Sequence, residues 1–402
     1  MPIIPEMSGT LDIKDLELSA LLEVTQAINN NLSETDLFRI YKFTLLGDLK
    51  VKRMALFVGD EGWSCRVAFG SKHDWENSVL DEKYRNITES ILLCDEKSEY
   101  GDFDKVIPVF HKKKLLAIVF LGGVLDEKQS DSSTFLQALT NIIIVAIENK
   151  KLAKRQLEQE AYRKELEIAK KVQNYLFPKS LPKTKKLKIE AVYLPHHDVG
   201  GDYYDYLAID NDRFLVCVAD VSGKGVPAAL LMSNFQASLR TLVRKTQDPK
   251  EIVTELNHTI YTISNGENFI TFFLGIYDFN LCTFEYINCG HNPQYLLTNG
   301  EILELNDGTT VLGMFSPLPF LETIKLVNLK NFFFFGYTDG LTEAFNKSDE
   351  QFGEENVCKL IGKQMPEDLS EFHNKILKAV DQFRQGEAYR DDITMLSCLV
   401  NN

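Results

Sequence analysis

The sequence predicts an α+β protein of more than one domain, ending in an antiparallel sandwich that carries its helices on the outside. Three observations predict it. A chain of 402 residues is too long for one ordinary core. Its first part reads as helices, then a short run of strands, then helix again. Its second part strings together apolar runs of strand length, mostly joined by turn signals and interrupted by paired helical blocks, the pattern of hairpin-linked sheets with helices packed outside.

Taken in order, Leu18, Leu21, Leu22, Thr25 and Ile28 recur at a helical period within residues 11–30. Ser33 is placed to cap a second helix over residues 34–49. Strand-like runs follow, RMALFVGD, SCRVAFG, DKVIPVFH and LLAIVFLGG, before FLQALTNIIIVAIENKKL turns helical. VKRMALFVGDEGW, IPVFHKKKLLAIVFLGG and FLQALTNIIIVAIENKKL resemble the first strands, late hairpin and closing helix of a GAF domain across residues 12–149. That resemblance implies a small sensory module with an unknown ligand or protein partner. A module that only dimerises stands beside it, because fold does not dictate function.

From Glu148 to Phe177 the chain is rich in Glu, Lys, Ala, Gln and Leu, with no Gly or Pro before Pro178. Leu152, Leu157, Leu166, Ala169, Val172 and Leu176 mark a thin apolar stripe on a charged helix. Such a stripe suits a coiled-coil seam, so residues 150–178 are expected to form a linker helix that joins a homodimer. PKSLPKTKK breaks the helix and opens a domain over residues 185–400. Strands are expected at KIEAVYLP, DYYDYLAI, RFLVCVADV, FITFFLGIYDF, CTFEYINCG, QYLLTNGEILEL, ETIKLVNL, NFFFFGYTD and ITMLSCLV, with Asn299-Gly300 as a two-residue hairpin. Helices are expected over residues 226–244 and 249–263, with a late pair within 356–383.

Composition excludes some functions. Hydrophobic residues at 44% and charged residues at 25% are ordinary for a globular protein. A formal net charge of −14 repels phosphate backbones and argues against nucleic acid. The run from Ile142 to Ile147 falls short of the roughly 18–20 apolar residues that cross a bilayer. The start lacks the basic and apolar regions of a secretory signal, which points to the cytoplasm. Cysteines 65, 94, 217, 282, 289, 358 and 398 form no C-x-x-C pair, so neither structural zinc nor a disulfide framework is expected.

The chemistry sits in aspartates at strand ends. Asp202 precedes DYYDYLAI, Asp220 closes RFLVCVAD, Asp339 closes NFFFFGYTD, and Asp391 and Asp392 open DITMLSCLV. Singly, each reads as a turn former. Together, carboxylates at the ends of separate core strands repel one another by several kcal/mol unless cations bridge them. All-oxygen ligation suits Mg²⁺ or Mn²⁺, and two such ions activate water and clamp phosphoryl oxygens.

VGGDYYDY, VADVSGKGVPAALLM, NCGHNP, FGYTDGLTEAF, QFGEENV and YRDDITML resemble, in order, the motifs of PPM-class metal-dependent serine/threonine phosphatases of the SpoIIE/RsbU-like branch. EIAKKVQNYLFP looks like the opening helix of that family. The resemblance implies an α-β-β-α sandwich and two divalent cations, Mn²⁺ or Mg²⁺. Asp220 would bridge them and the Val221 carbonyl would bind one. Asp339 and Asp391 would complete the other ion's shell, and Asp202 would bind the second metal directly or through water. Asp392 is either a further ligand or a backbone-bonded residue that orients Asp391. The implied reaction is hydrolysis of phosphoserine or phosphothreonine by metal-activated water, without a phosphoenzyme. The implied substrate is a phosphorylated STAS-domain antagonist in a partner-switching pathway, with the N-terminal module as regulator.

Other residues were weighed beside these. His196-His197 would point to opposite faces of a strand, so the pair reads as surface or hydrogen-bonding residues. His291 reads as structural and Lys224 as a solvated loop lysine. Gly200 and Gly201 are expected to allow backbone conformations closed to other residues and a close approach to the cleft. Two rival functions remain: a non-catalytic scaffold that docks a partner, and a diguanylate cyclase, suggested by Gly-Gly-Asp alone and opposed by the Tyr-Tyr that follows.

Overall fold

The computed structural model describes residues 8–47, 51–59, 62–75, 78–93, 100–111, 113–123 and 130–402. Cys94, Lys112 and the last two residues of the helix expected over 34–49 lie outside them. The chain divides into two compact units, Met1–Glu160 and Ala161–Asn402.

The first unit contains α1 (Ser8–Asn29), α2 (Glu34–Gly47), β1 (Arg53–Gly59), β2 (Trp63–Phe69), β3 (Ile91–Leu92), β4 (Lys105–His111), β5 (Lys114–Gly122) and the start of α3 (Ser130–Asn174). Ser33 caps α2 as expected: its Oγ accepts the Asp36 N–H at 3.1 Å and donates to the Asp36 carboxylate at 2.6 Å. The sheet is antiparallel in the order β2-β1-β5-β4-β3. The period-2 alternation of strands sends Leu56 and Val119 to one face, packed on Val24, Tyr41, Leu139 and Ile143 of the helices. Phe57 and Phe120 go to the other, beneath Trp75, Tyr84, Tyr100 and Phe103.

Helix α3 is one 45-residue element, so the closing helix and linker helix of the sequence reading are a single rod. Nothing between them breaks it. Leu152, Leu157, Ile168 and Val172 are exposed along it.

The second unit contains β6 (Leu187–Leu194), β7 (Tyr203–Ala208), β8 (Arg213–Val221), α4 (Val226–Val243), α5 (Pro249–Ser264), β9 (Ile270–Asp278), β10 (Thr283–Cys289), β11 (Gln294–Thr298), β12 (Glu301–Leu305), β13 (Gly308–Thr309), β14 (Ile324–Leu326), β15 (Asn331–Tyr337), α6 (Glu354–Ile361), α7 (Leu369–Arg384) and β16 (Ile393–Asn401). One sheet runs β13-β10-β9-β8-β7 with β14 on β10, the other β12-β11-β15-β16-β6. All pairs are antiparallel except β10 with β13. Asn299 and Gly300 turn the β11–β12 hairpin with φ of 51° and 80°, the paired positive φ of a type I′ turn.

Between the sheets, Val216, Val218 and Phe273 meet Phe332, Phe334 and Leu396. Helices α4 and α5 cover the outer face of the first sheet, and α6 and α7 that of the second. This is an α-β-β-α sandwich. It explains the unbroken FFFF of β15: Phe332 and Phe334 face the opposite sheet while Phe333 and Phe335 stack edge-on with Phe372 of α7 at 5.0 and 5.4 Å. A strand buried on both faces cannot alternate with polar residues. Each such ring contributes roughly 1.5–3 kcal/mol by leaving water.

Candidate active site

The ends of β7, β8, β15 and β16 meet at one end of the sandwich, and each brings an acid. Asp202 immediately precedes β7 and is 1% exposed. Its Oδ2 accepts hydroxyls from Thr338 at 2.7 Å and Thr394 at 2.5 Å, and the Thr394 N–H donates to Thr338 Oγ1 at 2.9 Å, so one carboxylate oxygen ties the approaches to β15 and β16 together. Burial, then the nearby Asp220, hold the Asp202 carboxyl well above its usual range.

Asp220 stands at the end of β8, opposite Thr271 of β9. Burial and the charges of Asp339 and Asp391 push it up to about 7. Asp339 opens a short 3-10 turn after β15 and is pushed up to about 6 by burial, then by Glu343 and Asp391. Lys224 offsets part of that. Repulsion within such a cluster of acids is relieved by protons or by a bound cation.

Asp391 and Asp392, just ahead of β16, do different things. Asp392 accepts the backbone N–H of His196 at 2.7 Å and of Gly201 at 3.0 Å, one on each oxygen. Asp391 accepts the Asp392 N–H at 2.9 Å and the Lys224 ammonium at 2.7 Å. Lys224 also donates to the Arg390 carbonyl at 2.8 Å, and its side chain stays half exposed, so the solvated loop lysine also reaches Asp391.

Gly200 and Gly201 are required for space and not for dihedral freedom, since neither has a positive φ. A Cβ on Gly200 would collide with Asp392 Oδ2 and the Tyr193 hydroxyl, and one on Gly201 would stand 2.8 Å from the Val221 carbonyl and 3.4 Å from Asp220 Oδ1. Glycine therefore leaves that carbonyl uncovered beside the acids. Positive φ is used instead in the Ser222–Gly225 turn, at Gly223 (93°) and Gly225 (72°), which delivers Pro227 to the first turn of α4.

Among the described residues, no three His, Cys, Asp or Glu side chains form a closed ligand set as they stand. Asp202 is turned to its two threonines and Asp391 to Lys224. The histidines stay outside. His196 and His197 lie beyond the end of β6, exposed, with rings 4.3 Å apart, so the opposite-faces argument fails; His196 meets Asp392 through its backbone N–H and not through its ring. His291 is buried, bonded to Thr271 at 2.7 Å and the Tyr337 carbonyl at 3.1 Å, and burial pushes it down to about 4.

Sequence reasoning missed Thr338, Thr394, Gln173 and the buried pair of Asp205 with Arg240. Thr338 and Thr394 flank acids already singled out, and that adjacency was the available signal. Gln173 and Arg240 carried none, being ordinary residues on helical stripes.

Residues 210–401 match the family described as Stage II sporulation protein E (SpoIIE). The chain is 27% identical over 241 residues to phosphoserine phosphatase RsbU of Bacillus subtilis, covering 59% of this chain and 70% of that one. It is 26% identical over 284 residues to protein IcfG of Synechocystis, covering 63% of this chain but only 44% of IcfG. Among solved structures, the SiaA-PP2C domain of Pseudomonas aeruginosa aligns with a TM-score of 0.54 and 22% identity, covering 61% of this chain and 99% of that domain. That likeness is one of fold, and it falls on the sandwich that holds the acids. Residues 210–401 thus carry the match to the SpoIIE family, and the second unit shares the fold of the SiaA-PP2C domain.

Proposed function

We propose that this protein is a metal-dependent phosphatase that hydrolyses phosphoserine or phosphothreonine on a partner protein. The observation that carries the reading is the gathering of Asp202, Asp220, Asp339, Asp391 and Asp392 at one end of the sandwich, with burial and mutual repulsion raising three of them. The donor set fits hard divalent cations: carboxylates, hydroxyl-supported oxygens and an uncovered carbonyl, with no thiolate or imidazole.

In this reading Asp220 would be shared by two ions, the Val221 carbonyl would hold one of them, Asp339 and Asp391 would complete the other's shell, and Asp202 would hold the second directly or through water. Bound Mn²⁺ or Mg²⁺ would supply an acidified water and neutralise the phosphoryl oxygens. The protein's own part is positional. Thr338 and Thr394 fix the Asp202 carboxylate, Asp392 holds the Gly201 backbone, and Gly201 keeps the Val221 carbonyl open. Lys224 releases Asp391 or shares it. No nucleophilic side chain is needed, and the described cysteines 217, 289 and 398 are buried, with thiols pushed above their ordinary range by burial.

Support for the substrate class is that RsbU bears the name phosphoserine phosphatase. A phosphorylated STAS-domain antagonist is the partner we propose. Residues 12–149 act as a GAF-like sensor that regulates residues 185–400 through residues 150–178, of which 150–174 belong to α3, in a homodimer joined by that helix. A cytoplasmic setting fits, and among the described residues no helix is long and apolar enough to cross a membrane.

The test is phosphate release from p-nitrophenyl phosphate and from phosphoproteins of the same cell, with and without Mn²⁺. Mn²⁺-dependent release lost in Asp220→Ala supports the reading. A chain that binds phosphoproteins but releases no phosphate under any cation is a scaffold. Deletion of residues 1–147 is expected to change activity or oligomeric state, and no change in either sinks the regulatory part.

A further inference from the structure

The last turn of α3 reaches the acidic cluster from behind. Gln173 is 5% exposed and spends both halves of its amide on one residue: Nε2 donates to the Gly200 carbonyl at 2.7 Å, and Oε1 accepts the Gly200 N–H at 3.3 Å. Three residues on, the Leu176 carbonyl accepts from Gln236 Nε2 and Arg240 Nη2 of α4, both at 3.2 Å. Arg240 in turn grips Asp205 through Nε at 2.8 Å and Nη2 at 3.2 Å. Phe177 packs its ring against Tyr193, Tyr203 and Tyr204 at 4.8, 6.0 and 5.1 Å. The end of α3 thus holds the chain just before Asp202 directly and just after it through Arg240.

What it holds is a turn with no slack. Gly200 leaves room for Asp392 Oδ2 and the Tyr193 hydroxyl, a buried group with no hydrogen-bond partner among the described residues, and Gly201 donates to the same Asp392 oxygen while clearing the Val221 carbonyl. Two backbone groups of Gly200 depend on Gln173, and leaving either unsatisfied in a buried site is costly. A shift of the Gly200–Gly201 backbone moves Asp202, Asp392 and the exposure of the Val221 carbonyl together.

We infer that Gln173 is a positioning residue for the cation site: its paired bonds to Gly200 fix the Gly200–Gly201–Asp202 turn, so the placement of the last turn of α3 sets how tightly the acidic cluster holds divalent cations. The inference rests on the cation-binding reading of that cluster. It also gives α3 a defined point of action, one amide side chain against one glycine.

The experiment uses the full chain, with Gln173→Ala, Gln173→Met, which keeps the volume and removes both bonds, and Lys164→Ala on an exposed face of the same helix. Mn²⁺ binding is read by titration calorimetry, and amide protection by hydrogen exchange without metal. Loss of an outer residue that orients ligands weakens metal binding by roughly 10–100-fold, and Gln173→Ala and Gln173→Met are expected in that range with Lys164→Ala unchanged. Protection is expected to fall across residues 199–202 and to stay in β15. Turnover of p-nitrophenyl phosphate is expected to drop at low Mn²⁺ and recover at saturating Mn²⁺. If Gln173→Met lowers melting temperature or turnover while Mn²⁺ affinity stays within about twofold of the parent chain, Gln173 only anchors the helix and the inference is overturned. A parent chain that itself binds no Mn²⁺ overturns the cation reading first, and this inference with it.

Discussion

Asp202 and Asp205 lie three residues apart and are equally buried, at 1% and 0% exposure, yet they live in opposite electrostatic worlds. Asp205 is answered from within the fold by the bidentate Arg240 guanidinium, the Tyr203 hydroxyl and the Tyr206 N–H. Asp202 is answered by the Thr338 and Thr394 hydroxyls, with no basic side chain among the groups acting on it, and faces Asp220 and Asp392. A buried carboxylate with its own cation is part of the architecture. One surrounded by further carboxylates is an architecture waiting for charge from outside. The comparison separates fold from function inside a single strand entry.

The largest effects test the functional side. Asp220→Ala and Asp339→Ala are each expected to lower phosphatase turnover by about 10³-fold or more, since in the proposed function they hold the cations that activate water. Mn²⁺ titration should show at least one site lost, with the circular dichroism spectrum retained. Asp205→Asn, in contrast, should keep Mn²⁺ binding. If Asp205→Asn and Asp220→Ala lost metal alike, the division would be wrong.

The next effect tests the structural side. Arg240→Ala leaves the Asp205 carboxylate buried without a partner, a change that costs on the order of 3–5 kcal/mol in fully buried pairs. Because the Arg240 side chain is 35% exposed, solvent screening places the expected loss at the low end, about 3 kcal/mol. Urea unfolding without metal reads it. Asp202→Asn in the same assay is expected to stabilise, because it removes a desolvated charge that no cation offsets. Destabilisation by both changes would erase the contrast.

How far this was legible in the sequence depends on where each signal lies. The acids stood out because each ends or opens an apolar run, and a charged residue at the edge of a buried strand has few bland explanations. The β-rich half was readable because hairpin turns such as Asn299-Gly300 are local. What could not be read is tertiary. Arg240 sits 35 positions from Asp205, and only packing of α4 on β7 brings them together. Gly200 and Gly201 were singled out with half the right reason: their role is space for Asp392 and Val221, which depends on β16 and β8 arriving at the same place. The linker boundary near residue 150 was a composition shift within one helix, and hydrogen bonding along α3 ignores composition.

A pH titration sharpens the same contrast. Asp220 and Asp339, pushed up to about 7 and about 6, keep their protons in the cation-free fold over a range where the unfolded chain has released them. Their contribution to stability is therefore fully present below about pH 4 and lost as pH rises through 6 to 7. Cation binding runs the other way, since Mn²⁺ must displace those protons. Apparent Mn²⁺ affinity is expected to fall by up to about tenfold per pH unit between about pH 7 and 6, where one proton is displaced, and by up to about a hundredfold per unit below pH 6, where two are. Calorimetry at pH 5.5, 6.5 and 7.5 checks it, and a flat profile would mean that these two acids do not meet the ion.

The smallest expected effect concerns a second ion pair of the opposite kind. Lys224 meets Asp391 at 2.7 Å with side chains 50% and 37% exposed, so the pair is hydrated and exchangeable where the Arg240–Asp205 pair is buried and fixed. Exposed pairs contribute about 0.2–1 kcal/mol. Lys224→Ala is therefore expected to leave unfolding nearly unchanged and to tighten Mn²⁺ by up to about fivefold, because a cation no longer competes with the ammonium for Asp391. If instead KM for a phosphopeptide rises while Mn²⁺ affinity stays put, the ammonium serves the substrate phosphate, and Asp391 is only where it rests between substrates. That outcome would make Lys224 a mobile charge of the site, in contrast to Arg240, whose charge the fold never releases.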